Sequence, residues 1–212
     1  MFDKILFWFL RDLCLLALRI YNRLSISGRE KIPHERPLIL AANHTSNMDP
    51  VVVGCSFPLK VRPLGKIELF QGNRAFKWLI THLGCIPVSR ESDSAAASAL
   101  KQFLSILKNG ENVLIFPEGS RSHDGRLKPI EGGITVLATG TGAPIVPAYI
   151  AGTFECMPIG AKFIKPHKIR VRFGNPIYPL PKEQRKSLKE ERERIRIALQ
   201  DELARLEKES IG

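Results

Sequence analysis

The chain has 212 residues, of which 25% are charged and 44% hydrophobic, with 32 Lys plus Arg against 21 Asp plus Glu for a formal charge of +11. These proportions exclude a disordered tail, which lacks the apolar side chains needed to offset chain entropy, and a multi-pass membrane protein, which carries far fewer charges. One globular domain with short appendages is expected, and the excess of bases lies mainly in residues 25–180, where it suits an anionic substrate, a phosphate-bearing cofactor, an anionic membrane surface or nucleic acid.

Residues 1–28 form the first segment. It holds two six-residue apolar runs, Ile5 to Leu10 and Leu13 to Leu18, split by Arg11 and Asp12. Neither run reaches the roughly 18–20 residues of a spanning helix, and each charge near a bilayer midplane costs about 2.5–3.5 kcal/mol on insertion scales. On a helical projection Phe2, Leu6, Phe9, Leu13, Leu16 and Ile20 line one face, and Lys4, Arg11, Arg19 and Arg23 gather on another with Trp8 between them. That pattern predicts a helix lying in a membrane interface, its cations toward anionic headgroups; the alternative is an amphipathic helix packed on the domain's own core. A secretory signal is disfavoured, because charges break the apolar region and no small-x-small cleavage pattern follows.

From residue 29 to about 180 the chain alternates apolar runs with helical patterns. Strands are expected at Leu38 to Ala42, Val61 to Leu64, Cys85 to Val88, Val113 to Phe116, Ile145 to Ile150 and Ile169 to Phe173, with helices near 50–57, 74–83, 93–109 and 130–140. The helix over 93–109 is the clearest, with Leu100, Phe103, Leu104 and Leu107 at i, i+3, i+4 and i+7 and Gly110 as its stop signal. The expected fold class is α/β, a mixed and largely parallel sheet flanked by helices, with sites favoured in the loops at strand C-termini. Residues 181–212 are densely charged and carry an apolar stripe of Leu188, Ile195, Leu199, Leu203 and Leu206, which predicts a C-terminal helix. Cys14, Cys55, Cys85 and Cys156 are widely spaced with no Cys-x-x-Cys pair, which argues against a zinc site or a disulfide scaffold and suits reduced thiols in a cytosolic protein.

Common phosphate-loop, dinucleotide, zinc-protease and serine-elbow motifs are absent from the sequence. Two polar clusters follow apolar strands instead. In Asn43-His44-Thr45-Ser46-Asn47-Met48-Asp49-Pro50, Asp49 reads as a helix N-cap with Pro50 at the first helical position. Residues five apart do not share a face of a regular helix, but in a loop Asp49 could fold back on His44, fix its tautomer and stabilise the imidazolium formed as His44 takes a proton. The structural alternative is a capping Asp49 and a His44 bonded only to backbone. In Phe116-Pro117-Glu118-Gly119-Ser120-Arg121-Ser122, the turn at Pro117 and Gly119 gathers backbone N–H groups, Ser120 and Arg121 into an arrangement that can bind phosphate; the alternative is a surface turn that carries an arginine. Lys66 and Arg90 follow strand-like runs and would add cations at the same sheet edge.

These blocks resemble the 1-acylglycerol-3-phosphate O-acyltransferase family, which makes phosphatidic acid. NHTSNMD is similar to the family's Asn-His-x-Ser-x-x-Asp block, Gly84 to Arg90 to its second block, FPEGSRS to its third and Ile145 to Ile150 to its fourth, in the family's order across residues 38–178. The resemblance implies His44 as general base, Asp49 as its partner, Arg90, Glu118, Gly119, Ser120 and Arg121 as acceptor-binding residues with Lys66 as a further cation, and Pro147 shaping the site. It implies direct transfer of a fatty acyl group from an acyl thioester, acyl-CoA or acyl carrier protein, to the free hydroxyl of the lysophospholipid 1-acylglycerol-3-phosphate, giving phosphatidic acid in phospholipid biosynthesis. No metal, no cofactor beyond the acyl-donor substrate and no covalent acyl-enzyme are expected, at the cytoplasmic face of a membrane. One departure is Ile130-Glu131-Gly132-Gly133, where many members have Phe-Lys-x-Gly; Glu131 in place of a cation opens the way to another lysophospholipid or a lyso-aminolipid as acceptor. Nucleic acid is not expected as a partner, because the aromatics crowd the N-terminal helix and the apolar runs rather than interleaving with a basic stripe.

Overall fold

The structure is a computed structural model and describes residues 2–88 and 95–211. Seven strands, β1 (Ser25–Ser27), β2 (Ile39–Ala42), β3 (Val61–Lys66), β4 (Ile86–Val88), β5 (Asn112–Ile115), β6 (Ile145–Ala151) and β7 (Arg170–Phe173), form one sheet in the order β1-β7-β6-β2-β5-β3-β4. All neighbours are parallel except β6 and β7, which run antiparallel. The helices are α1 (Phe2–Tyr21), α2 (Asp49–Ser56), α3 (Arg74–His82), α4 (Ala95–Lys108), α5 (Gly133–Thr141), the single turn α6 (Thr153–Cys156) and α7 (Leu188–Ile211).

Burial on both faces of the sheet follows from the period-2 alternation of side chains along each strand. In and just before β2, Leu38, Leu40 and Ala42 join Val52 and Val53 of α2 and Leu15 and Leu18 of α1 in one core. The intervening Ile39 and Ala41 join Leu107 of α4, Leu137 of α5 and Ile195, Leu199, Leu203 and Leu206 of α7 in the other. The apolar stripe predicted for the C-terminal helix is therefore the seam that seats α7 on the sheet, except that Leu188 stays half-exposed at its first residue.

The first helix has two apolar faces. Phe7, Leu10, Leu15 and Leu18 are buried, and α1 packs against α2 and α3. Phe9, Leu13, Leu16 and Ile20, four residues of the stripe seen in the helical projection, are 62%, 53%, 55% and 73% exposed. No helix among the described residues is long and apolar enough to cross a membrane.

The predicted strands and the four predicted internal helices are present within three residues of their expected bounds, with residues 93–94 outside the described residues, whereas α1 ends at Tyr21 within the segment 1–28 and α7 begins at Leu188 within 181–212. The strand that sequence reasoning missed is β1, whose Ser25, Ile26 and Ser27 pair with Arg170, Val171 and Arg172. With one apolar residue in three, it has too little pattern to register alone.

Candidate active site

Parallel strands point their C-termini to one edge, and the two polar clusters emerge there side by side because β2 and β5 are neighbours, with Ala41 opposite Ile115. The end of β2 is locked by Asn43, whose Nδ2 donates to the carbonyl of Ile150 at 3.0 Å and whose Oδ1 accepts the N–H of Ile150 at 2.7 Å. This fixes where the following loop departs.

In that loop His44 is held on several sides. Its Nδ1 lies 2.9 Å from Oδ2 of Asp49. Its N–H donates to Oε1 of Glu118 at 2.8 Å, and its carbonyl accepts the N–H of Ser122 at 2.7 Å. The ring stacks on Phe116, with centroids 4.0 Å apart and planes 19° from parallel. A carboxylate only accepts, so Nδ1 carries the proton and Nε2 keeps its lone pair. The side chain remains 18% exposed, while that of Asp49 is fully buried.

Asp49 is the first residue of α2, with Met48 at the cap position and Pro50 next in the helix, so the expectation of an Asp49 N-cap is corrected by one residue. Its carboxylate turns back instead: Oδ2 also accepts the N–H of Thr45 at 2.6 Å and of Ser46 at 2.7 Å. Three donors on one oxygen fix the loop and the carboxylate together, whereas Oδ1 is buried with no hydrogen-bond partner. A buried anion with only three donors retains strong attraction for a cation at His44.

The second cluster divides in two. Glu118 is buried, at 3% exposure, and both of its oxygens are used within the protein: Oε1 holds the His44 N–H and Oε2 accepts the N–H of Lys128 at 3.0 Å. Burial pushes its carboxyl up to about 7, against the opposing pull of those two N–H groups. It braces two loops through the N–H groups of His44 and Lys128. Gly119 takes a left-handed φ of +69°, and the carboxylate of Glu131 lies where a side chain would project: Oε1 is 2.3 Å from an ideal Cβ. Ser120 is exposed and accepts Nζ of Lys128 at 2.6 Å, and Arg121 donates from Nη1 to Oδ1 of Asn47 at 2.8 Å. Arg121 and Lys128 thus bring two cations to the edge that carries His44.

Lys66 ends β3 at the same edge and is exposed. Pro147 is buried inside β6 opposite Ala41, and its carbonyl accepts the N–H of Gly174 just after β7 at 2.8 Å. Arg90 lies outside the described residues. Sequence reasoning did not single out Lys128, which no motif marks, or assign roles to Asn43 and Ser46, which lay in the quoted octapeptide. Ser46 Oγ donates to the carbonyl of Met157 at 2.7 Å, tying the loop to the segment after α6. No cluster of potential metal ligands exists among the described residues.

A mixed, mostly parallel α/β sheet thus carries a carboxylate-oriented histidine beside Arg121 and Lys128 at one edge, an arrangement suited to drawing a proton from a group held next to an anion. A model of the family described as Acyltransferase matches residues 23–151. The chain is 33% identical over 180 residues to a 1-acyl-sn-glycerol-3-phosphate acyltransferase of Streptococcus pneumoniae, covering 82% of this chain and 64% of that protein. It is 32% identical over 160 residues to a chloroplastic 1-acyl-sn-glycerol-3-phosphate acyltransferase of Brassica napus, covering 74% and 46%. The crystal structure of the 1-acyl-sn-glycerophosphate (LPA) acyltransferase from Thermotoga maritima superposes with a TM-score of 0.75 at 26% identity, covering 97% of this chain and 81% of that one. The chain belongs to the acyltransferase family. It spans roughly half to two thirds of the length of these two curated relatives.

Proposed function

We propose that this protein transfers a fatty acyl group from an acyl thioester to the free hydroxyl of 1-acylglycerol-3-phosphate, giving phosphatidic acid in phospholipid biosynthesis. The observation that carries this reading is the 2.9 Å contact of His44 Nδ1 with Asp49, which leaves the other ring nitrogen as the basic one. Relatives named for that reaction support the substrate class.

In the proposed reaction the imidazole nitrogen Nε2 of His44 removes the proton of the acceptor hydroxyl as its oxygen attacks the thioester carbonyl. The carbon–sulfur bond then breaks, and the departing sulfur takes up the proton from His44. Asp49 stays ionised and stabilises the imidazolium between the two proton transfers. No acyl-enzyme forms, so no nucleophilic serine or cysteine is required. General-base action supplies about 10²–10⁴ in rate, and positioning of the two substrates supplies further acceleration. Arg121, Lys128 and Lys66 are the cations proposed to anchor the acceptor phosphate, with Arg90 proposed beside them from the sequence block alone.

The donor is an acyl thioester of coenzyme A or of acyl carrier protein, and no other cofactor or metal is invoked. We place the enzyme peripherally on the cytoplasmic face of a membrane through the exposed face of α1, in keeping with four free cysteines. The carboxylate of Glu131 against Gly119 favours a second reading, in which the acceptor headgroup carries an amine beside its phosphate. Incubating the purified protein with labelled lysolipids and both thioester donors, followed by product identification, tests both: phosphatidic acid supports the first, acylated amino-lipid alone supports the second, and no acylated lipid rejects both.

A further inference from the structure

The segment Pro158 to Lys168 leaves α6, runs across the surface and returns into β7. It contains Lys162, Lys165 and Lys168 and no acidic residue. Residues 162–168 are all exposed, and among them Phe163 is 81% and Ile164 45% exposed. Phe163 is the most exposed large apolar side chain among the described residues. Single exposed hydrophobics need no explanation, but an apolar pair flanked by cations on a firmly tethered loop is a recurrent design for an anionic lipid surface.

The loop is fastened at both ends while its apolar tip projects. The N–H of Lys165 donates to the carbonyl of Cys156 at 2.8 Å, and Nδ2 of Asn22 donates to the carbonyls of Lys165 and His167 at 3.3 and 3.2 Å. The N–H of Ile169 donates to the carbonyl of Asn22 at 3.0 Å. At Gly152, with φ +91°, the chain passes so near the returning limb that an ideal Cβ would lie 2.0 Å from the carbonyl oxygen of Lys168. Tyr21 Oη donates to the carbonyl of Ile164 at 3.0 Å, which sets the tip directly beside the last turn of α1. There it continues the exposed stripe that ends in Ile20 and Tyr21, 73% and 50% exposed.

We propose that the loop Pro158–Lys168 is a second lipid-docking element, in which Phe163 and Ile164 enter the acyl region of an anionic leaflet while Lys162 and Lys165 meet its phosphates. The proposal rests on the reading that α1 lies on that leaflet, and it adds a contact on which α1 does not depend. The occupant is a lipid surface because the tip combines protruding apolar side chains with cations and no acidic residue, and lies beside the exposed face of α1. The base of the loop also connects to the reaction centre, since the carbonyl of Met157 accepts Ser46 Oγ two residues from His44. Docking at Phe163 therefore sets the height of the catalytic loop above the lipid surface.

The test uses the full chain with Trp8→Phe and Trp78→Phe, into which Phe163→Trp is introduced, and phosphatidylglycerol vesicles with brominated acyl chains. Tryptophan at 163 should shift to shorter wavelength and be quenched. The control Ile197→Trp, at a side chain 47% exposed on α7 across the sheet, should show neither effect. The double variant Phe163→Asp, Ile164→Asp should lose at least about tenfold in vesicle partitioning, the equivalent of one well-buried apolar side chain. It should keep its rate on a short-chain acceptor dissolved as monomers. Vesicle binding by the parent with no quenching at 163, or parental partitioning by the double variant, overturns the loop proposal while leaving α1 as the anchor. A parent protein that does not bind these vesicles overturns both.

Discussion

Nδ1 of His44 and Oδ2 of Asp49 lie 2.9 Å apart although the residues are five positions apart and only Asp49 is in a helix. Asp49 reaches the ring because its carboxylate points back from the first turn of α2 into the loop, where the N–H groups of Thr45 and Ser46 also seize it. One oxygen thus folds the loop and aims the imidazole.

Asp49→Asn keeps an acceptor oxygen for those N–H groups but removes the charge that stabilises the imidazolium. The turnover rate should fall by about 10²–10⁴, with acceptor KM changed much less. Steady-state kinetics alongside a melting curve check this; a turnover rate within a few-fold of the parent would remove Asp49 from the mechanism.

Glu118 grips the backbone of His44, its Oε1 accepting that N–H at 2.8 Å, and on this geometry it is a positioning residue. Glu118→Ala should lower kcat and leave acceptor KM near the parent value, whereas a substrate-binding carboxylate would show its loss mainly in KM. Initial rates across acceptor concentration separate the two.

The same residue predicts a pH effect on stability. Folding raises the Glu118 carboxyl from an ordinary value near 4.5 to about 7, so the folded chain binds more protons than the unfolded one in that window. Its contribution is fully present below about 4.5 and is lost as pH rises through about 7. Denaturant unfolding from pH 4 to 8 should show Glu118→Gln with a flatter dependence than the parent across that range.

Arg121 is held by Asn47, whose Oδ1 accepts from one arm of the guanidinium at 2.8 Å, and its charge is proposed to anchor the acceptor phosphate. Arg121→Ala should raise KM for the phosphate acceptor by roughly 10-fold or more, the equivalent of a charge-assisted hydrogen bond, while an acceptor without phosphate should respond less.

Removing residues 1–24 would take Leu15 and Leu18 out of the core and so confuse anchoring with folding. Substituting the exposed stripe avoids this. Leu13→Asp with Leu16→Asp should weaken vesicle partitioning at least about tenfold with little change in melting temperature, whereas Leu15→Asp should lower the melting temperature sharply. Sedimentation with anionic vesicles and thermal unfolding read the two effects separately.

The strands and helices were legible because both faces of the sheet are buried. Runs such as Leu38 to Ala42 and the stripe from Ile195 to Leu206 carry that burial directly in their spacing. The His44 and Asp49 pair was legible as residue types in a loop, and its alternative, a capping Asp49, gives way because the helix starts at Asp49 itself and the carboxylate turns back into the loop. The role of Glu118 was not legible, since a glutamate in a polar turn reads the same whether it meets substrate or two N–H groups. Lys128 could not be found either, because its approach to Ser120, eight positions earlier, depends on how the intervening loop closes. For α1 the sequence offered lipid or core as alternatives, and the helix presents an apolar face to each side.

The most direct measurement is single-turnover acyl transfer by His44→Ala, with vesicle binding and melting temperature recorded on the same preparation. The expected rate is lower by about 10²–10⁴, with binding and stability close to the parent. A rate within tenfold of the parent in a folded, vesicle-bound variant would contradict the general-base role of His44.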